Sequence, residues 1–437
     1  MTTTMGVGGV GLGGRKNGTP PPDVPLDDVN IGKRRFWSWD DDLRDGAFAT
    51  LRREAPIKFF EVPKLPGFET GPGHWALTTF EHVHHASRHP EIFSSVPAST
   101  TLAEIDPAVA EFGGSMINLD DPRHQRLRSI VNRAFTPKMV ARIEDSVRTR
   151  AQRLVRDMIA NHPDGTADFV EAVSGPLPLQ IICDMMGIPE EDEAKVYHWT
   201  TVLLGAGDEE VAHNRDEIIQ VILDLAAYGI ELAESRRAHP RDDLTTNLVA
   251  AEVDGERLTS AEIASFFILL SGAGNETTRN AISHGMVALS RYPDEKARWW
   301  ADFDGLADTA VEEIVRWATP VIFMRRTLTE DVELGGVRMR AGEKVSMWYN
   351  SANRDEAKFD DPWRFDVGRN PNPHFGYGAG GAHFCLGANL ARREIRVAFE
   401  ELRDQVPDIV AVDEPAILQS AFIHGIKRVQ VGWTPLA

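Results

Sequence analysis

The sequence predicts a mainly α-helical fold with a minor β region, and three observations carry that expectation. Apolar residues recur at three- and four-residue intervals through most of the stretch from Asp120 to Ala288. Strand-like patterns return only from Arg326 to Val345, around a Gly335-Gly336 turn, and near Val429 to Trp433. A glycine-rich run from Tyr377 to Gly387 leads directly into an amphipathic helix, Ala388 to Leu402, and brings Cys385 to its start.

Each element follows in chain order. Met1 to Pro22 is rich in Gly, Thr and Pro and reads as a flexible tail, which leaves 23–437 as the folded part. Between Trp39 and Phe93 helical patches alternate with strand-like Ile57-Lys58-Phe59-Phe60 and Trp75-Ala76-Leu77-Thr78, so a small sheet is expected there. Ser94 to Gly114 is small, polar and Pro-interrupted, the composition of a long loop, of a kind that is usually functional or disordered. Asp121-Pro122 is a sound helix start, and His124 and Arg128, four apart, share one face of that helix. The capping box Thr259-x-x-Glu262 opens a run without proline up to Pro293, about 30 residues or roughly 45 Å. Its middle, Ser271-Gly272-Ala273-Gly274-Asn275-Glu276-Thr277-Thr278, is poor helix sequence, each glycine costing about 1 kcal/mol. Glu313 and Arg316 share a face three residues apart.

Composition narrows the function. The chain has 437 residues, which alone would argue for two or three domains, but the residues of one site are spread from about position 120 to 385 and join them into one. With 66 acidic against 47 basic residues the net charge is −19, which argues against nucleic acid and anionic membrane surfaces as main partners. No apolar run has the length of a membrane span or signal segment, so no membrane anchor is expected. Two cysteines, Cys183 and Cys385, make no disulfide framework and suit a reducing, cytoplasmic setting.

A lone cysteine is most often a small buried hydrophobe. Cys385 differs, because unpaired N–H groups and the positive end of the following helix are placed to favour a thiolate. The glycines let the loop backbone approach a flat ligand. Such a thiolate suits a haem iron.

The run Gly380-Gly381-Ala382-His383-Phe384-Cys385-Leu386-Gly387 resembles the haem-binding signature of the cytochromes P450. The resemblance implies the family's triangular α-helical prism, with haem b between a distal and a proximal helix and Cys385 as axial ligand. It implies that Gly387 lets the proximal helix lie close to the porphyrin and that His383 contacts a propionate. One departure stands out: the family usually has Phe seven residues before the cysteine, where this chain has Gly378, with Tyr377 one residue earlier. His124 and Arg128 match the helix whose basic residues hold the propionates, and Arg326 matches a further propionate contact. Ala273 to Thr278 is similar to the family's oxygen-binding motif. By that likeness Ala273 and Gly274 lie against the haem, and Glu276 and Thr277 are catalytic, delivering protons while dioxygen is cleaved. Glu313 and Arg316, with Arg364 of Pro362-Trp363-Arg364-Phe365, match a structural network that fixes the cysteine loop.

Nearly the whole chain also resembles the actinobacterial P450s that hydroxylate terminal methyl groups of methyl-branched lipids. The carriers are Pro178 to Pro189, Ala273 to Asn280, and Phe422 to Lys427. The implied reaction is O₂-dependent ω-hydroxylation of lipids such as phytanic acid or farnesol, with sterol side chains as a related class. Phe267, Leu270, Ser271, Gly272, Val321 and Phe422 are the expected substrate walls. Electrons must come from outside, since no dinucleotide-binding G-x-G-x-x-G follows a strand, and a ferredoxin with its reductase is expected. Arg126, Arg133, Arg392, Arg393 and Arg396 offer it basic groups. The alternatives are a P450 for another hydrophobic substrate, a haem-thiolate ligand-binding protein, and a peroxygenase.

Overall fold

One helix organises the chain. Ser260–Arg291, 32 residues long, packs against Pro176–Met186, Glu190–Leu204, Arg215–Ala238, Phe303–Ala318 and Ala388–Gln405. The computed structural model describes residues 12–63, 70–104, 116–134, 137–205, 208–211, 214–253 and 255–435. The expected capping box is formed: the Glu262 amide donates to Thr259 Oγ1 at 3.1 Å, and Glu262 Oε2 accepts from the Thr259 amide at 3.0 Å. Two orphan N–H donors are thereby satisfied before the helix enters the core. At the far end Gly285 lets Ser260–Arg291 press onto Ala388–Gln405, since a Cβ there would lie 2.8 Å from Phe399 Cζ.

The minor β region is a five-stranded sheet in the order Ile57–Phe60, His74–Leu77, Lys344–Trp348, Phe323–Leu328, Phe93–Ser94. Lys344–Trp348 pairs parallel to His74–Leu77 and antiparallel to Phe323–Leu328, with Val345 opposite both Trp75 and Arg326. All five residues of Lys344–Trp348 are buried, as a central strand requires. The Gly335-Gly336 turn closes the Val332–Leu334 and Val337–Met339 hairpin with φ of 55° and 76°, the left-handed values that favour glycine. Gln430–Gly432 is the expected C-terminal strand.

The tail expectation needs correction from residue 12 onward. Asn17 Nδ2 donates to the Phe365 carbonyl at 2.9 Å, and the Phe365 amide donates back to Asn17 Oδ1 at 2.8 Å. Arg15 pairs with Asp42 and Asp45, each at 2.7 Å, and lies over the Trp363 ring. Polar and charged contacts hold this segment to the body, and composition alone does not register such contacts; residues 1–11 lie outside the described part. The loop expected from Ser94 to Gly114 is described only to residue 104. There Arg325 donates to the Thr101 and Ala103 carbonyls and Lys344 Nζ to the Leu102 carbonyl, tying it to the sheet.

Candidate active site

The cysteine loop is shaped by glycine. Gly378, Gly380 and Gly381 have φ of 97°, 82° and 84°, and a Cβ on Gly381 would sit 2.6 Å from the Ser87 carbonyl oxygen. This accounts for the departure at position 378, where a Phe would be strained. Tyr377 supplies the aromatic bulk one residue earlier, buried under the Arg392 guanidinium, whose carbon is 4.4 Å from the ring centre. The Cys385 amide donates to the Tyr377 carbonyl at 3.0 Å. Cys385 is exposed, whereas Cys183 is fully buried with its thiol pKa pushed far up by burial. Burial also pushes the Cys385 thiol upward, against the pull of the Gly387 N–H, Arg128 and Arg392. The Gly387 N–H and the two guanidinium groups are the parts of the site that favour a thiolate.

Beneath the loop lies a wholly buried ion pair. Arg316 donates twice to Glu313 at 2.7 Å and to the carbonyls of Asn353, Pro362 and Arg364, each at 3.0 Å, so all five of its donors are used. The third member is Arg369 and not Arg364. Arg369 Nε lies 3.1 Å from Glu313 Oε2, while the Arg364 side chain is half exposed and reaches only Glu295, at 3.5 Å. The Pro-x-Arg-Phe pattern named the right segment, but Arg364 serves through its carbonyl. Glu312 completes the support: it accepts from Arg392 Nε at 2.6 Å and meets His374 Nε2 at 3.0 Å. Burial would raise the Glu312 pKa, but hydrogen bonds from His374 and Arg392 outweigh it and bring it to about 2.

Four basic side chains gather beside the cysteine. The His124 and His383 rings are 4.2 Å apart, and His383 Nε2 lies 3.1 Å from Ser95 Oγ. Arg326, buried, donates to its neighbour's carbonyl at 2.7 Å. Burial, then the charges of Arg326, His124 and Arg128, bring the His383 pKa down to about 3. Arg128 grips the loop itself, donating to the Ala382 and Phe384 carbonyls at 3.0 and 2.7 Å. Two guanidinium groups, Arg128 and Arg326, beside the imidazole rings of His124 and His383 make a donor set that fits an anionic ligand.

The long helix turns one open stripe inward. Ile268, Leu269, Leu270, Gly274 and Thr277 are half-buried and Ala273 is exposed, while Ser271, Gly272, Asn275, Glu276 and Thr278 are buried. Thr277 Oγ1 donates to the Ala273 carbonyl at 2.6 Å, the back-bond that leaves the hydroxyl oxygen able to accept. Glu276 is buried and accepts from Arg279 at 2.5 Å; burial pushes its carboxyl upward despite Arg279 and the Asn280 amide. Leu270 lies on this stripe, and Phe267 and Ser271 do not. Both are buried off this stripe, with Phe267 packed on Tyr228 and Gly229 of Arg215–Ala238, and Gly272 faces Leu204. Ser271 is rotated about 100° round the helix from Leu270, and Phe267 about 60° toward the same side. Gly274 also has a different reason from the expected one, since a Cβ there would meet Ile182 Cδ1 at 2.7 Å.

Val321 and Phe422 lie on adjoining segments. Val321 bridges to Ile423 and packs in the cluster that holds Phe375 and Ala379 of the cysteine loop. Phe422 packs edge-on against Phe323, ring centres 5.6 Å apart. Of the basic residues expected to meet a redox partner, Arg392 is committed to Glu312, Arg396 pairs with Asp304 at 2.8 Å, Arg126 pairs with Glu256 and Glu262, and Arg133 donates to the Glu252 carbonyl.

The Cytochrome P450 family profile matches residues 305–402, from the Glu313 helix through the Cys385 helix. The chain is 67% identical over 420 residues to the methyl-branched lipid omega-hydroxylase of Mycobacterium tuberculosis, covering 96% of this chain and 98% of that one. It belongs to the cytochrome P450 family. A steroid C26-monooxygenase of the same species is 42% identical over 89% of each P450. Among solved structures, a Mycobacterium marinum cytochrome P450 in complex with pseudoionone superposes with a TM-score of 0.88 at 41% identity, covering 94% of this chain and 99% of that one. The family's haem-thiolate cofactor fits the residues present. Cys385 is the accessible sulfur of the two, the His383 and Arg326 cluster has the chemistry for propionates, and Gly387 leaves open space where a Cβ would point. Sequence reasoning missed Arg369, Glu312 and His374; the Asp-Val-Gly-Arg run before Asn370-Pro371 was the available signal for the first.

Proposed function

We propose that this P450 hydroxylates the terminal methyl of methyl-branched lipids, in the cytoplasm, with electrons from a ferredoxin and its reductase. The observation that carries the reading is 67% identity, over nearly the whole of both chains, to a relative named for that activity. Bound haem supplies the oxidation, placing one atom of O₂ in a C–H bond while the other leaves as water. The chain's own residues do the rest. Cys385 holds the metal, His124, Arg128, Arg326 and His383 orient the propionates, and the buried Glu313, Arg316 and Arg369 keep the loop rigid. Thr277 holds a proton donor in the open stripe, and Glu276, its carboxyl raised by burial, resupplies protons from behind the helix. Leu270, Val321 and Phe422 supply apolar walls that admit a narrow chain end first. Sterol side chains are a second reading, favoured by the 42% identity to steroid C26-monooxygenases.

The test is spectral titration with phytanic acid, farnesol and a sterol, followed by turnover with and without ferredoxin and its reductase. Tight binding of the branched chains and NADH use that depends on ferredoxin are expected. Binding of none of the three, or turnover driven by H₂O₂ alone, contradicts the reading.

A further inference from the structure

The turn that carries Phe422 is fastened at almost every polar group. The Phe422 and Ile423 amides donate to Ser420 Oγ, each at 3.1 Å, and the Phe422 carbonyl accepts from the Ile322 amide at 2.8 Å. The His424 amide donates to the Pro320 carbonyl at 2.9 Å, and Asn280 Oδ1 accepts from the Ile426 amide at 3.0 Å. Two of these bonds are backbone to backbone, and three end on the side chains of Ser420 and Asn280. His424 adds a bond of another kind. Its Nδ1 lies 2.6 Å from the Ala318 carbonyl oxygen and its Nε2 lies 3.2 Å from Asp41 Oδ1. The ring sits as a bridge between three distant segments: the first turn of Asp41–Glu54, the end of Phe303–Ala318, and this turn.

The surroundings suit that bridge. His284 of the long helix stacks under the His424 ring at 4.0 Å and directs its Nε2 to the His424 carbonyl, 3.1 Å away. Burial lowers the His284 pKa well below its ordinary value, with the charge of His424 acting in the same sense, so His284 packs as a neutral ring. Burial would raise the Asp41 carboxyl, but His424 and then Arg44 outweigh it and hold it well below the usual range. A cavity of about 70 Å³ adjoins the pair, lined also by Arg15, Asp42, Asp45, Arg291 and Arg354.

We propose that His424, held between Asp41 and the Ala318 carbonyl, is a positioning residue that fixes the Phe422 turn and so sets which carbon of the substrate is hydroxylated. The inference rests on the terminal-methyl reading above. Phe422 stands two residues from the bridge and packs on Phe323, while Ile423 pairs with Val321, which touches the cysteine-loop cluster. Terminal attack needs this wall to be rigid, because the weaker tertiary C–H bonds lie nearby and a loose wall would admit them. Shifting a reacting carbon by about 1 Å changes relative rates by orders of magnitude.

The experiment compares wild type with His424→Gln, Asp41→Asn and the double variant, all as holoenzyme with ferredoxin and reductase, on one branched acid. A fall of about three- to tenfold in the ratio of terminal to internal alcohol is expected in each single variant, with a raised KM. The double variant should show no larger change, because both members belong to one contact. The reduced-CO spectrum should match wild type in all three variants. Asp41→Asn keeps the side chain's shape and removes the carboxylate charge that faces His424, so the comparison survives if His424→Gln folds poorly. Unchanged product ratios in the single variants overturn the role of His424. A wild type that makes mainly internal alcohol overturns the terminal-methyl reading instead, and the role of His424 is then still read from the shift between proteins.

Discussion

Two residues of one type settle the metal ligand at the smallest scale. Cys183 is sealed in the core and Cys385 is open on its loop, so only the second can meet a ligand without unfolding. Cys385→Ser should abolish the reduced-CO absorption band of a thiolate-ligated haem, and Cys183→Ser should keep it; loss of the band in both, or in neither, would contradict the assignment. The network below the loop gives a second contrast. Arg369→Ala removes a partner from a carboxylate with no exposure, which costs on the order of 3 kcal/mol. Arg364→Ala removes a half-exposed side chain at 3.5 Å from its nearest acid and should stay within about 0.5 kcal/mol. Thermal unfolding of the two holoproteins separates them, and an equal loss would restore Arg364 to the network.

At the scale of elements, Glu312 joins Phe303–Ala318 to the cysteine loop through His374 and to Ala388–Gln405 through Arg392. Its pKa in the fold, about 2, lies below the ordinary 4.5. A depressed carboxylate contributes stability that is full above its unfolded value and is lost as pH falls toward its folded value. Acid release of haem should therefore steepen between pH 4.5 and about 2 in the wild type and be shallower over that window in Glu312→Gln. Parallel curves would show that the clamp does not bear on the loop. Elements with a local signal were legible in the sequence: the capping box of Ser260–Arg291, the glycine loop, the strand pairs and the Glu313–Arg316 spacing. What escaped depends on contacts between distant segments. Arg369 reaches Glu313 only after the loop folds back, Asn17 docks on Phe365 from a segment of tail-like composition, and Phe267 differs from Leu270 only by rotation about one helix.

At the scale of the whole molecule, the long helix meets the cysteine helix at Gly285, and the same long helix meets the Phe422 turn through Asn280 and His284. One helix thus relates the Cys385 helix, the Thr277 hydroxyl and the Phe422 turn. This geometry explains how sites spread from about position 120 to 385 act as one. Mass analysis of the alcohols formed from phytanic acid by the reconstituted wild-type system tests this most directly. A predominant primary alcohol at the chain end is expected, and predominant hydroxylation at internal or tertiary carbons would contradict it.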